Sequence, residues 1–213
     1  MKSKTIVFDL DDTLVHEIDY LKSAFIEIAQ KVDVNDKGLY IEMLKWYGNK
    51  ENVFQNLVER YPIITIAELK QLYRNHFPDF SQYTKVKSYL YELKSKGYNL
   101  GLITDGFSVT QRNKIKSLGI EELFDLIIIS EEFGSEKPNE KNYKIFHQFN
   151  TDEYFYIGDN VSKDFFAPNL LGWKTICLLD DGKNIHKQDF NKEIVYLPQC
   201  KVEDLQQIQF EIN

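Results

Sequence analysis

Five short apolar runs, each about one strand long and each separated from the next by residues with helical spacing, constrain this chain more than any other feature. They are residues 4 to 9 (KTIVFD), Tyr98 to Thr104 (YNLGLIT), Asp125 to Ser130 (DLIIIS), Glu153 to Ile157 (EYFYI) and Trp173 to Leu179 (WKTICLL). The run Ile6-Val7-Phe8 does not alternate apolar with polar, so it reads as a strand covered on both faces, as in parallel sheets. Strands alternating with helices predict a doubly wound α/β fold with a mainly parallel sheet. Gly97, Gly119 and Gly172 each follow an amphipathic stretch and mark predicted helix ends.

Between the first and second runs the pattern changes. Residues 15–82 show no strand-like alternation, while Ile18, Leu21, Phe25, Ile28 and Val32 recur at steps of three and four, one face of a helix. Thr65-Ile66-Ala67-Glu68 has the form of a capping box opening a second helix that buries Leu69 and either Leu72 or Tyr73. The stretches 39–46 and 53–61 are also expected to be helical. The expected organisation is therefore a sheet domain made of residues 1–14 and 83–213, with residues 15–82 inserted as a helical cap.

At 213 residues and 43% apolar, the chain is long enough to bury its own core. Its formal net charge of −7 and lack of a basic cluster argue against a nucleic-acid surface. The basic start MKSK leads into an apolar run too short for a signal peptide, and no stretch approaches the ~20 apolar residues of a membrane span. Cys177, inside TICLL, reads as a buried small hydrophobe, and with Cys200 it makes no secreted disulfide framework. The expected setting is cytoplasmic, and the oligomeric state is left open.

The chemistry concentrates at the carboxyl ends of the predicted strands. Asp9 and Asp11 follow the first, Thr104 and Asp105 the second, Lys137 lies in the loop after the third, and Asp159 and Asp164 follow the fourth. Open α/β sheets bind ligands outside those ends, so these groups are expected to converge on one crevice. These carboxylates beside one ammonium repel one another unless more positive charge is present. Mg²⁺ fits, since it takes oxygen ligands from one or two carboxylates and the remainder from water and a phosphoryl group. Asp12 reads as a loop or capping acid.

Asp9-Leu10-Asp11-Asp12-Thr13, Thr104, Lys137 before Pro138, and Gly158-Asp159 through Asp164 together resemble the four ordered motifs of the haloacid dehalogenase-like (HAD) hydrolases, with the insertion resembling the helical C1 cap of one subclass. The resemblance implies strand order 3-2-1-4-5 and a phosphatase acting on a small phosphomonoester, whether sugar phosphate, nucleotide or phosphorylated acid. It implies that Asp9 is the nucleophile and Asp11 the acid and base. Thr104, Asp105 and Lys137 fall at the phosphate, and Asp9, Asp11 (through its carbonyl), Asp159 and Asp164 serve Mg²⁺, Asp164 indirectly. The dehalogenases lack the second acid, so Asp11 favours phosphate esters. The same scaffold also admits a phosphotransferase or mutase. A receiver-like signalling module fits less well, because receivers carry the phosphorylated acid after the third strand and have no inserted cap. In the insertion, His16, Glu17, Trp46 to Asn49, Arg60, Arg74 and His76 are candidate leaving-group contacts, each weighed against a packing or surface role.

Overall fold

The computed structural model describes residues 2–210. Its centre is a six-stranded, all-parallel sheet in the order β3-β2-β1-β4-β5-β6. The strands are β1 (Lys4–Phe8), β2 (Asn99–Thr104), β3 (Leu126–Ile129), β4 (Glu153–Gly158), β5 (Lys174–Leu178) and β6 (Cys200–Val202). The first five coincide with the five apolar runs to within a residue or two. The sixth was not expected: it has three residues, with exposed Cys200 and Lys201 before buried Val202, so it carries no apolar run to be read. It is held as an edge strand by pairing with β5.

Because side chains alternate across a strand, each central strand feeds two cores. Ile6 and Phe8 of β1 join Leu100, Leu102, Phe155 and Ile157 on one face. Val7 joins Ile103, Tyr156 and Cys177 on the other. One approach is close enough to require glycine: a Cβ on Gly101 would lie 2.1 Å from the Phe146 ring.

Four helices fill the long connection after β1: α1 (Glu17–Val32), α2 (Leu39–Gly48), α3 (Val53–Arg60) and α4 (Ile66–Asn75). They bury a cluster of their own around Leu21, Phe25, Ile28, Met43, Leu57 and Leu69. The capping box forms: Thr65 Oγ1 accepts from Glu68 N–H at 3.2 Å, and Glu68 Oε2 accepts from Thr65 N–H at 2.8 Å. The sheet is flanked by α5 (Thr84–Ser95), α6 (Ser108–Leu118) and three short helices, α7 (Ser130–Phe133), α8 (Lys141–Lys144) and α9 (Phe166–Leu170). At the end of α6, Gly119 takes φ 61°, the left-handed cap that glycine adopts at least cost. No described helix is long and apolar enough to cross a membrane.

Candidate active site

The chain leaves β1 through Asp9, whose N–H donates to the Ile157 carbonyl at 2.8 Å and so continues the ladder one residue past the strand. A tight loop follows. Leu14 N–H donates to Leu10 O at 2.9 Å, and Asp12 takes φ 56°. Asp12 is buried, and its carboxylate accepts from Glu17 N–H at 2.9 Å and Ile185 N–H at 3.1 Å. It therefore fastens the start of α1 to the loop after β5.

Asp9 sits 5% exposed beside Lys137. Lys137 Nζ donates to Asp9 Oδ1 at 2.6 Å and to Asp164 Oδ1 at 2.7 Å. Burial alone would pull this ammonium down, but the Asp164 and Asp9 carboxylates more than offset it and hold the group well above its usual range. Burial pushes Asp9 up to about 8 despite Lys137, with Asp164 and Asp11 adding to the rise. Asp159 is pushed up to about 9, first by burial and then by the charges of Asp164, Asp9 and Asp12. Three buried acids gathered about a single lysine carry more negative charge than it neutralises.

The carboxylate oxygens of Asp9, Asp159 and Asp164 lie within 4.8 Å of one another, and all three residues are buried. Their capacities differ. A carboxylate has about four acceptor positions. Asp164 fills its own with Lys137 Nζ, Tyr156 O–H at 3.2 Å, Asp159 N–H at 3.1 Å and Asn160 N–H at 2.8 Å. It therefore steadies Lys137 and the turn after β4 rather than offering a free oxygen. Asp9 accepts from Lys137 and, at 3.5 Å, from Thr13 O–H, and Asp159 Oδ2 accepts from Asn184 Nδ2 at 2.8 Å. Both keep room for a hard cation.

Gly158 is part of this arrangement. A Cβ there would lie 2.4 Å from Asp164 Oδ2 and 2.8 Å from its Cγ. Gly158→Ala is expected to lower stability by about 1–3 kcal/mol, the usual cost of overpacking, read as a lower urea midpoint at unchanged slope. An unchanged midpoint would show that Asp164 is not fixed in place.

Thr104, 1% exposed at the end of β2, accepts a short hydrogen bond from Gln111 Nε2. Asp105 turns its carboxylate to Lys137 N–H at 3.1 Å and Lys163 Nζ at 3.2 Å. Its side chain thus organises the lysine loop. Asp11 faces α6, where Gln111 Nε2 donates to Oδ2 at 2.9 Å and Lys114 Nζ to Oδ1 at 2.6 Å. Gln111 and Lys114 were not singled out from the sequence. A signal existed: they stand on the same side of α6 as Ile115 and Leu118, polar residues where apolar ones are expected, and both are nearly fully buried. Asn184, in a loop without periodicity, gave none.

Asp11 also lines a cavity of about 210 Å³ between the helical insertion and the core, with Glu17, Tyr20, Lys70, Tyr73, Arg74, Phe107 and Lys114. Among the insertion's candidates, Glu17 and Arg74 reach it. The others are engaged elsewhere: Arg60 pairs with Asp36 and Glu42, His76 with Ser23 and Glu27, and His16 faces Asp181. Trp46 and Tyr47 pack on the insertion's own apolar cluster, and Asn49 bonds Glu51.

A family model described as haloacid dehalogenase-like hydrolase matches residues 6–178. The chain belongs to this family. A glyceraldehyde 3-phosphate phosphatase of Methanocaldococcus jannaschii is 35% identical to it over 204 residues, 83% of this chain and 85% of the relative. The Methanopyrus kandleri protein of that name is 31% identical over 195 residues, 81% and 82% of the two chains. Among solved structures, a magnesium-bound HAD-hydrolase of Bacillus subtilis aligns over 97% of this chain and 96% of its own, with TM-score 0.60 and 17% identity, a likeness of fold. With its family and its phosphatase relatives, this HAD hydrolase is a phosphatase enzyme.

Proposed function

We propose that this HAD hydrolase removes the phosphoryl group from a small phosphomonoester, with Asp9 as nucleophile and Mg²⁺ as cofactor. The observation that carries the reading is the buried Asp9–Lys137–Asp164 array beside Asp159, adjoining a cavity that reaches Asp11. Asp9 and Asp159 are the side chains that would hold Mg²⁺, with the Asp11 carbonyl as a further oxygen. The ion supplies positive charge that lets a carboxylate approach a phosphate dianion.

The chain's own residues then divide the work. Asp9 attacks phosphorus with the carboxylate oxygen away from Lys137, giving an aspartyl-phosphate and releasing the leaving oxygen. Asp11 gives that oxygen its proton and afterwards takes one from the water that cleaves the acyl phosphate. Gln111 and Lys114 hold the Asp11 carboxyl in place at the cavity lining. Lys137 and the Thr104 hydroxyl face the phosphoryl oxygens, where negative charge resides in the transition state. Residues 15–82 serve as the cap, and the leaving group lies in the cavity beneath them. A volume of about 210 Å³ suits a leaving group of a few carbons, in keeping with the triose phosphate acted on by the archaeal relatives.

The test is phosphate release by the purified protein from a panel including glyceraldehyde 3-phosphate, glycerol 3-phosphate, phosphoglycolate and nucleoside monophosphates, with Mg²⁺ and with chelator. Expected is Mg²⁺-dependent release that is fastest on the three-carbon esters. No release from any member would sink the phosphatase reading. Persistence of a phosphoenzyme until an acceptor alcohol is added would turn it towards phosphotransfer.

A further inference from the structure

We infer that Glu17 selects the leaving group, accepting a hydrogen bond from a hydroxyl on its short carbon chain, so that the preferred substrates are hydroxylated phosphomonoesters without a second anionic group. This rests on the phosphatase reading above. Glu17 opens α1 and lines the 210 Å³ cavity together with Tyr20 and Tyr73. Its backbone N–H is spent on Asp12, which fixes where the side chain starts. Lys114 is held by Asp11 at 2.6 Å and lies 4.7 Å from the centre of the Tyr20 ring. Glu17 is half-buried and lines the cavity beside Tyr20, Tyr73 and Asp11, so a hydroxyl entering the cavity meets its carboxylate as an acceptor.

The lining also carries the reverse polarity. Arg74 lies 3.7 Å from the centre of the Phe107 ring, and Lys70 stands beside it where the cavity meets a second cleft through the shared residues Lys70, Arg74 and Phe107. A chain carrying both a hydroxyl donor and an acceptor oxygen matches this lining. A carboxylate placed against Glu17 would face its negative charge and that of Asp11.

The discriminating measurement is kcat/KM for glycerol 3-phosphate, propyl phosphate and phosphoglycolate, all with Mg²⁺. The wild type is expected to prefer glycerol 3-phosphate over propyl phosphate by about 10- to 100-fold, the value of a hydrogen bond to a charged group. Glu17→Leu is expected to bring that ratio to within about twofold of unity, since no acceptor is left. Glu17→Gln, which keeps the shape and a weaker acceptor, is expected to lower it by at least about threefold and to improve phosphoglycolate relative to glycerol 3-phosphate. Turnover with ratios unchanged in both variants overturns the assignment of Glu17 alone. If Glu17→Leu lacks a cooperative melt, the Glu17→Gln ratio decides. Absence of Mg²⁺-dependent turnover on all three esters overturns the phosphatase reading and this assignment with it.

Discussion

Asp9→Asn is expected to lower phosphate release by at least about 10³-fold while leaving the protein folded, because the amide keeps the shape of the side chain and loses its nucleophilic charge. The size follows from the site. Asp9 is the acid that lies against both Lys137 and the Asp159 side; of the other carboxylates, Asp164 is committed to four donors and Asp11 to Gln111 and Lys114, and Asp159 is assigned to the metal in the proposed mechanism. None stands ready to replace it. Folding survives because Lys137 keeps its 2.7 Å contact with Asp164 and the buried cluster loses one negative charge. The measurement is single-turnover phosphate release beside a thermal melt. An acid-quenched phosphoenzyme should form in the wild type and be missing from the variant. Activity within tenfold of wild type in a well-folded variant would assign the nucleophile elsewhere.

Removing divalent metal is expected to make the protein progressively less stable as pH rises from about 5 to about 8, and Mg²⁺ is expected to restore stability more strongly at the upper end. Asp9 and Asp159 ionise near 3.8 in an unfolded chain, whereas the folded, metal-free site holds their protons up to about 8 and about 9. Glu17 moves the same way, from 4.5 to about 7, chiefly through burial and then through Asp11. Across that window the folded state binds more protons than the unfolded one, so stability falls with rising pH. The carboxylates held low by partners, such as Glu27 by His76 and Asp36 by Tyr61, act in the opposite sense. They titrate at or below their ordinary values, however, and their contribution is already complete at pH 5. Mg²⁺ competes with those protons, so its stabilisation should grow with pH. Melting temperatures in chelator and in roughly 10 mM Mg²⁺ at several pH values check this. Asp9→Asn should flatten the chelator series, since one of the shifted acids is gone. A metal-free protein that gains stability between pH 5 and 8, or one indifferent to Mg²⁺ at pH 8, would contradict the picture of an under-neutralised acid cluster.

Much of this molecule was readable from local pattern because its signals are local. A fully buried parallel strand needs apolar residues on both faces, which Ile6-Val7-Phe8 displays as an unbroken run. The capping box of Thr65 and Glu68 is complete within four residues. That Asp9, Lys137 and Asp159 lie near one another follows from parallel strands ending on the same side of a sheet, a consequence of topology that spacing conveys.

Other features depended on packing between distant segments. β6 is specified by its neighbour β5 and not by its own three residues. Gln111 and Lys114 acquire their roles because α6 packs with that face towards Asp11, about a hundred residues earlier in the chain, so their meaning lies in a contact no local window contains. The same holds for Asp164, whose four donors come from Lys137, Tyr156 and the turn after β4. Sequence by itself determined the α/β alternation, the helical insertion and the set of acids at strand ends, since periodicity and charge are properties of short segments. Only the tertiary structure decided which of those acids keep open lone pairs and which side chains face the cavity, because both depend on what the rest of the chain brings within hydrogen-bonding distance.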